Sequence, residues 1–317
     1  MKLGLVALAL AALPVAAAQA QNWPARPVTL VAPSSPGSTP DTVTRLLAQK
    51  LTEQVGQQVI AVSRVGASGN IGSESVAKAA PDGYTLLLGS IANTLNPHFM
   101  KGIGFSLDEL APVSSVAAAP DILAVHPSVP ANNLRELLDL LKAKPGTSAA
   151  IPGFGSTPHL SSVLLQSNAG VQLTIVPYQG GGAALQGLLG NQVPLAFLTS
   201  VIVVPRVQGG QLRGIGVTSA KRLSSLPNLP TLAEQGLPGF DVSAWFGVFA
   251  PAKTPKAIID RVSDETRKAV VAPDTRKRLL DLGAEPLGST PEEFTAFVKS
   301  EYAKWGVVVK EAGIKAE

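Results

Sequence analysis

The chain has 317 residues, 45% of them hydrophobic and only 15% charged, with a net charge of +4, 5% aromatic residues and no cysteine. Without cysteine there are no disulfides, thiol nucleophiles or zinc–thiolate centres, so packing alone must stabilise the fold. Basic residues are scattered and no aromatic-studded basic stripe or basic amphipathic helix stands out, so neither a nucleic-acid partner nor membrane-surface binding is expected.

The chain opens with Lys2, an apolar run from Leu3 to Leu13 and the small-residue segment Ala18-Gln19-Ala20. That pattern predicts a secretory signal peptide over 1–20 and an exported, periplasmic protein beginning near Gln21 or Asn22. No cysteine follows the apolar run, so no lipid attachment is expected. The remaining 297 residues (317 minus 20) are enough for two lobes, and removing Lys2 takes the net charge from +4 to +3.

Short apolar runs then alternate with helical spacing, the pattern of α/β layers. Strands are predicted over Val28–Ala32, Val59–Val62, Tyr84–Leu88, Ile122–Val125, Ser148–Ile151, Leu173–Val176, Val193–Phe197 and Leu212–Val217. A helix after the first strand puts Val43, Leu46, Leu47 and Leu51 on one face; another, from about Asn132 to Ala143, turns Leu134, Leu137, Leu138 and Leu141 inward. Further helices are expected over Lys256–Val271, Pro273–Leu282 and Pro291–Ala312. The Pro-stopped apolar segments Ile122–Pro127 and Ala244–Pro251 read as crossings between lobes, which divides the chain into lobe 1 (21–123 plus 244–317) and lobe 2 (124–243).

Gly-Ser-Thr-Pro occurs three times, at Gly37–Pro40, Gly155–Pro158 and Gly288–Pro291. Each opens a helical segment, with Thr suited to the N-cap and Pro to the first helical position. The third copy, followed by Glu292 and Glu293, is a capping box whose acidic turn already uses the positive helix end. The first two follow strands and leave N–H groups and hydroxyls free, which suggests a carboxylate held between two lobes. Asp41 would repel that anion unless its side chain turns back to brace the loop. The candidate ligand groups are Ser35, Gly37, Ser38 and Thr39; Ser90 and Asn93; Ser156, Thr157 and His159; and Tyr178, Gly180 and Gly181, where glycines allow close backbone approach. Trp245 and Phe246 read as core, Arg45 and Arg64 as surface.

Other chemistry is missing. His98, His126 and His159 lack metal-ligand spacing, Gly66–Gly72 has the wrong glycine spacing for a dinucleotide fingerprint, and neither a Walker A motif nor a Gly-x-Ser-x-Gly elbow occurs. The alternative is a serine hydrolase using Ser156 and His159, for which no third member is identified. A regulator's effector-binding lobe is disfavoured by the signal peptide and the missing DNA-binding helix pair.

The ordered series Val31-Ala32-Pro33…Pro36-Gly37…Asp41, Arg64–Gly72, Ala77–Gly89, His126–Pro130, Gly155–Leu160, Val176–Gly181, Val217–Arg222 and Trp245-Phe246-Gly247 closely resembles the Bug-type periplasmic solute-binding proteins of tripartite tricarboxylate transporters. The resemblance implies a two-lobed, Venus-flytrap, type II-like periplasmic binding fold with a central cleft. It implies a monomer that uses no cofactor, is not an enzyme, and hands a small carboxylate or related polar metabolite to a membrane permease. It also implies that the loops carrying Ser38-Thr39 and Ser156-Thr157-His159 jointly grip the carboxylate. Ser38-Thr39-Pro40 stands where relatives are glycine-rich, predicting a stiffer loop. Leu198-Thr199 stands where many carry Asp-Asn. That makes Thr199 a ligand candidate, argues against a ligand with a charged amino group and points to a less polar distal wall.

Overall fold

Four of the five positions of β1 (Val28–Ala32) are apolar, as in a strand covered on both faces. It pairs in parallel with β2 (Val59–Ser63) on one side and β3 (Thr85–Ser90) on the other. Helix α1 (Thr39–Val55) joins β1 to β2 and buries Val43, Leu47 and Leu51, with Leu46 half-buried. Helix α2 (Asn70–Ala77) leads to β3, which is followed by the short α3 (Ala92–Leu95). The computed structural model describes residues 23–98 and 100–312, so the expected signal peptide lies outside it.

The chain then enters β4 (Leu110–Val125), a strand of 16 residues serving two sheets. Residues 110–120 pair with β9 (Ser243–Pro251), whereas Asp121–Val125 pair with β7 (Leu195–Thr199) and Ile122–Val125 with β8 (Arg213–Val217). The sequence predicts only its last four residues because Pro112, Pro120 and a run of Ser and Ala hide the rest. The register slips between Pro112 and Ser114 and between Ser115 and Ala117, where bulges take up the irregularity. The second lobe adds α4 (Leu134–Ala143), β5 (Thr147–Ile151), α5 (Thr157–Ala169), β6 (Leu173–Pro177), α6 (Gly181–Leu189) and α7 (Ser200–Gln208). The strand order is β2-β1-β3-β9-β4-β7-β5-β6.

The return crossing passes Thr218 and Val242 and is tied to the outgoing one. The Thr218 hydroxyl accepts from the Asp121 N–H at 2.8 Å and donates to the Val242 carbonyl at 2.6 Å. β9 re-enters the first sheet antiparallel to β3 and β4, and α8 (Lys256–Val271), α9 (Pro273–Asp281), the two-residue β10 (Glu285–Pro286) and α10 (Pro291–Ala312) complete that lobe.

Each sheet is covered on both faces, and strand alternation sorts the side chains. In the second lobe Leu123, Val125, Leu195 and Phe197 pack beneath α4, while Ile122, Ala124, Ala196 and Leu198 pack beneath α6 and α7. In the first lobe Leu30, Leu86 and Leu88 meet α1 and α8, while Val31, Leu87, Trp245 and Phe249 meet α10. Trp245 is core, as expected: its indole N–H and that of Trp305 both donate to the buried Glu301 carboxylate, at 3.1 and 2.9 Å. Opposite, Phe294 lies on Gly247, and a Cβ there would sit 2.1 Å from the ring. Gly247→Ala should therefore destabilise the protein by about 1–3 kcal/mol in urea unfolding; an unchanged midpoint would show that α10 can lift off without cost.

Candidate functional site

A cavity of about 420 Å³ lies where the two lobes face each other. The first lobe contributes the loop Pro33–Pro40, the turn Val65–Gly69 and Ser90–Asn93; the second contributes Pro152–Pro158, Pro177–Gly181 and Thr199; Ala244 and Phe246 of β9 close the back. Among the described residues no Asp, Glu, Lys, Arg or His side chain lines it.

Three helix N-termini open onto this space. Ser38 precedes α1, Ser156 precedes α5 and Gly180 precedes α6. The first-turn N–H groups of Thr39, Thr157, Gly181 and Gly182 make no hydrogen bond among the described residues, as expected of groups with no partner one turn back. The cap differs from the sequence expectation: Ser, not Thr, is the N-cap in the first two copies, so Thr39 and Thr157 are the first helical residues. Ser156 Oγ accepts from the His159 N–H at 3.4 Å and donates to the Gly153 carbonyl at 2.7 Å, whereas Ser38 Oγ donates to Ser34 Oγ at 2.7 Å. In the third copy Thr290 and Glu293 form the expected capping box.

Asp41 does turn back. Its carboxylate accepts from the Gly37 N–H and Arg45 Nε, both at 2.9 Å, and from Ser63 Oγ at 2.7 Å. Burial pushes this carboxyl up, but the hydrogen bonds from Arg45, Ser63 and Gly37 outweigh it and hold it below the ordinary value. Gly37 therefore braces the loop and is outside the cavity lining. So is His159, whose buried ring accepts the Gly155 N–H on Nδ1 at 3.4 Å and stands edge-on to Phe154; burial lowers its pKa. Ser35, Ser38, Thr39, Ser90, Asn93, Ser156, Thr157, Tyr178, Gly180, Gly181 and Thr199 all line the cavity. Asn93 is already committed, accepting from the Ser90 N–H and donating to Ser73 Oγ, each at 2.9 Å.

The glycines after Tyr178 serve a purpose the sequence does not reveal. A Cβ on Gly180 would lie 2.3 Å from Ser35 Oγ, and one on Gly182 would lie 2.7 Å from the Pro36 carbonyl oxygen. The space these glycines leave is thus filled by the opposite lobe. Thr39 Oγ1 and Thr199 Oγ1 also hydrogen-bond across the cleft. The lobes are in contact at the cavity rim. Ser35 Oγ is buried there without a hydrogen-bond partner among the described residues.

Two further features depart from the sequence reading. Leu198 lies in the core beneath α6 and α7, so the wall residue is Thr199 alone. The distal wall is nonetheless apolar, through Val65, Ile91, Phe154 and Phe246. The turn Gly66–Gly69 was also not among the candidates. It runs through four positive φ angles, 132°, 47°, 52° and 92°, two of them at Ala67 and Ser68, a conformation costing about 1–2 kcal/mol per non-Gly residue. Its signal was present in Gly66 and Gly69, the flanking residues that adopt such angles freely.

Beneath the floor lies Asp121, fully buried and without a cation. Its Oδ1 accepts from Thr157 Oγ1 at 3.1 Å and its Oδ2 from Ser161 Oγ at 2.8 Å. Burial pushes its carboxyl up to about 7, against the lowering effect of the Ser161 and Thr157 hydrogen bonds.

The family model described as "Tripartite tricarboxylate transporter family receptor" matches residues 43–314. Protein BugT of Bordetella pertussis is 35% identical over 300 residues, covering 93% of this chain and 92% of the relative. Among solved structures, R. palustris Rpa4515 with adipate has a TM-score of 0.89 at 34% identity, covering 92% of this chain and 99% of that one. The periplasmic binding protein BugD has a TM-score of 0.89 at 33% identity, covering 93% and 100%. The two-lobed α/β fold of periplasmic binding proteins is thereby established, and the relatives are binding proteins rather than enzymes.

The titration of Asp121 has a defined sign. A carboxyl whose folded pKa is raised binds more protons folded than unfolded, so its contribution to stability declines as pH rises from about 4 to about 7. Asp121→Asn removes this penalty. The melting temperature of the variant relative to the parent should therefore climb between about pH 4 and pH 7 and level off above; a difference independent of pH would mean that Asp121 titrates normally.

Proposed function

The chain belongs to the tripartite tricarboxylate transporter receptor family, and on that footing we propose that it captures a small carboxylate-bearing metabolite between its lobes for delivery to a membrane permease of the tripartite tricarboxylate type. The observation that carries this reading is the convergence of three helix N-termini, with free first-turn N–H groups, on a cavity without a charged side chain. Oriented N–H groups and hydroxyls hold a carboxylate without a cation, each such charge-assisted hydrogen bond contributing roughly 1.5–3 kcal/mol. Adipate, the carboxylate that accompanies the R. palustris neighbour, supports that class. With no acid to meet an ammonium group, amino acids are disfavoured. Val65, Ile91, Phe154 and Phe246 suit an apolar body behind the carboxylate.

Thr39, Thr157 and Gly181 are the proposed first contacts, with Ser35, Ser38, Ser90, Ser156, Tyr178, Gly180 and Thr199 around them. Gly37 and His159 brace the two grip loops, and Asn93 holds its own. The lobes are proposed to close about the crossings near Asp121 and Val242; the division expected at 123/124 moves back to 120/121, because Asp121–Leu123 pair with β7, and the first lobe then holds 21–120 and 244–317. A monomeric protein exported to the periplasm by the segment 1–20 completes the reading; no described helix is long and apolar enough to cross a membrane. Hydrolysis by Ser156 and His159 is disfavoured, because the Ser156 hydroxyl is given to the Gly153 carbonyl and the His159 Nδ1 to the Gly155 N–H.

In a thermal-shift panel of adipate, benzoate, glutamate and nicotinamide, adipate or benzoate should raise the melting temperature and glutamate should not. A ligand at a hundred times its Kd stabilises by about 2.7 kcal/mol. No shift with either simple carboxylate would contradict the reading. Gly182→Ala places a methyl against the Pro36 carbonyl without disturbing an ordinary helical φ. It should weaken binding of the responding carboxylate by roughly tenfold, about 1.4 kcal/mol, while the unliganded protein melts close to the parent. Undiminished affinity would show that lobe contact is not part of capture.

A further inference from the structure

Asp121 sits directly opposite Thr199 in the β4–β7 pairing, so the two share a face of the sheet. Thr199 lines the cavity, and Asp121 lies beneath it, 0% exposed. The link between buried acid and cavity is Thr157. This first residue of α5 lines the cavity, and its hydroxyl lies 3.1 Å from Asp121 Oδ1. A hydroxyl has one hydrogen to give. While Asp121 is ionised it can only accept, so that hydrogen is spent on Oδ1 and Thr157 offers only lone pairs elsewhere. Lone pairs are the wrong groups for a carboxylate.

We propose that Asp121 is a positioning residue that sets the direction of the Thr157 hydroxyl, so that carboxylate capture takes up a proton. A proton from solvent adds to Oδ1 as the carboxylate enters. The new Asp121 O–H donates to Thr157 Oγ1, and the Thr157 hydrogen swings to the bound carboxylate. Ser161 Oγ continues to donate to Oδ2 at 2.8 Å, so no buried group is left unpaired. One proton is gained and no covalent bond other than that O–H forms. This inference rests on the carboxylate-binding reading above.

The surroundings favour Asp121 as the group that titrates. Burial already pushes its carboxyl up to about 7, and an anion nearby raises it further. β4, β7 and β9 carry no other titratable side chain. On α5, His159 is occupied by the Gly155 N–H. Arg206 of α7 bonds Gln211, Arg213 of β8 bonds the Val129 and Ala131 carbonyls, and in the return crossing Arg222 pairs with Glu234 while Asp241 accepts from the Ala220 N–H. Lys221 stands in the same crossing and is exposed. On α1, Asp41 is paired with Arg45. No charged side chain contributes to the shift at Asp121.

The test is calorimetry of the full chain with adipate and with benzoate, each at about pH 6, 7.5 and 8.5, in phosphate and in Tris, whose ionisation heats differ. Expected is net proton uptake of a large fraction of one proton near pH 7.5, and affinity roughly tenfold weaker at about pH 8.5 than at about pH 6. Asp121→Asn, whose amide can donate permanently to Thr157, should bind at both extremes with the low-pH affinity and take up no proton. Thr157→Val should bind weakly without uptake. Carboxyl carbon NMR of the wild-type protein supplies a readout free of variant folding: adding the probe that binds should raise the pKa of Asp121. Binding without proton uptake, or an Asp121→Asn protein that keeps the wild-type pH profile, overturns the inference and leaves the carboxylate-binding reading intact. If neither probe binds at any pH, the functional reading fails first and this inference with it.

Discussion

An anion drawn into a cavity without a cation must be held by dipoles already aimed at it, and the proposed capture of a carboxylate by this protein depends on that requirement. Water gives up a carboxylate only to comparable donors. Here the proposed donors are backbone N–H groups at the starts of three helices, and their value depends on helices that stay put. The capping network supplies that rigidity. Ser156 caps the first turn of α5, Ser38 reaches back to Ser34 within its own loop, Asp41 folds back onto Gly37, and His159 holds Gly155. None of these bracing groups needs to touch a ligand. Ser38-Thr39-Pro40 fits the same need, because a pre-ordered loop loses less entropy on binding.

The donors come from different lobes, so geometry at the crossings decides whether they can act together. Asp121 and Thr218 bind the outgoing and returning strands to each other, and the same Asp121 reaches forward to Thr157 in the grip loop. Hinge and ligand loop thus share one buried residue. At the rim, the contact between lobes depends on the absence of side chains at Gly180 and Gly182, where the first loop of the opposite lobe takes the vacant space. The mouth of the cavity is formed partly by contact between lobes.

Much of this was legible in the sequence, for local reasons. β1, α8 and α10 begin and end where apolar runs, caps and prolines place them, and the grip loops announce themselves as small polar residues between a strand and a helix. What escaped was non-local. The first eleven residues of β4 are broken by Pro112 and Pro120, and their strand character comes from pairing with β9, which lies far away in the chain. Leu198 reads as a wall residue because it follows the expected strand Val193–Phe197 at a place where the resemblance puts an acid; the strand runs on to Thr199, and Leu198 packs in the core. The glycines at 180–182 read as room for a ligand at the backbone, whereas what lies against Gly180 and Gly182 is the Ser35–Pro36 loop of the opposite lobe. His159 and Gly37 belong to the loops that form the site and support them from behind, a distinction made by side-chain direction rather than residue type.

The proposed function turns on a carboxylate seated among the helix N-termini. Crystallography of the protein with a bromine-labelled benzoate tests this most directly, since the bromine fixes the ligand's orientation independently. The carboxylate should lie within about 3 Å of the N–H groups of Thr39, Thr157 and Gly181, with the bromine toward Phe246 and Ile91. A carboxylate held elsewhere, or turned outward with the ring against the three helix ends, would contradict it.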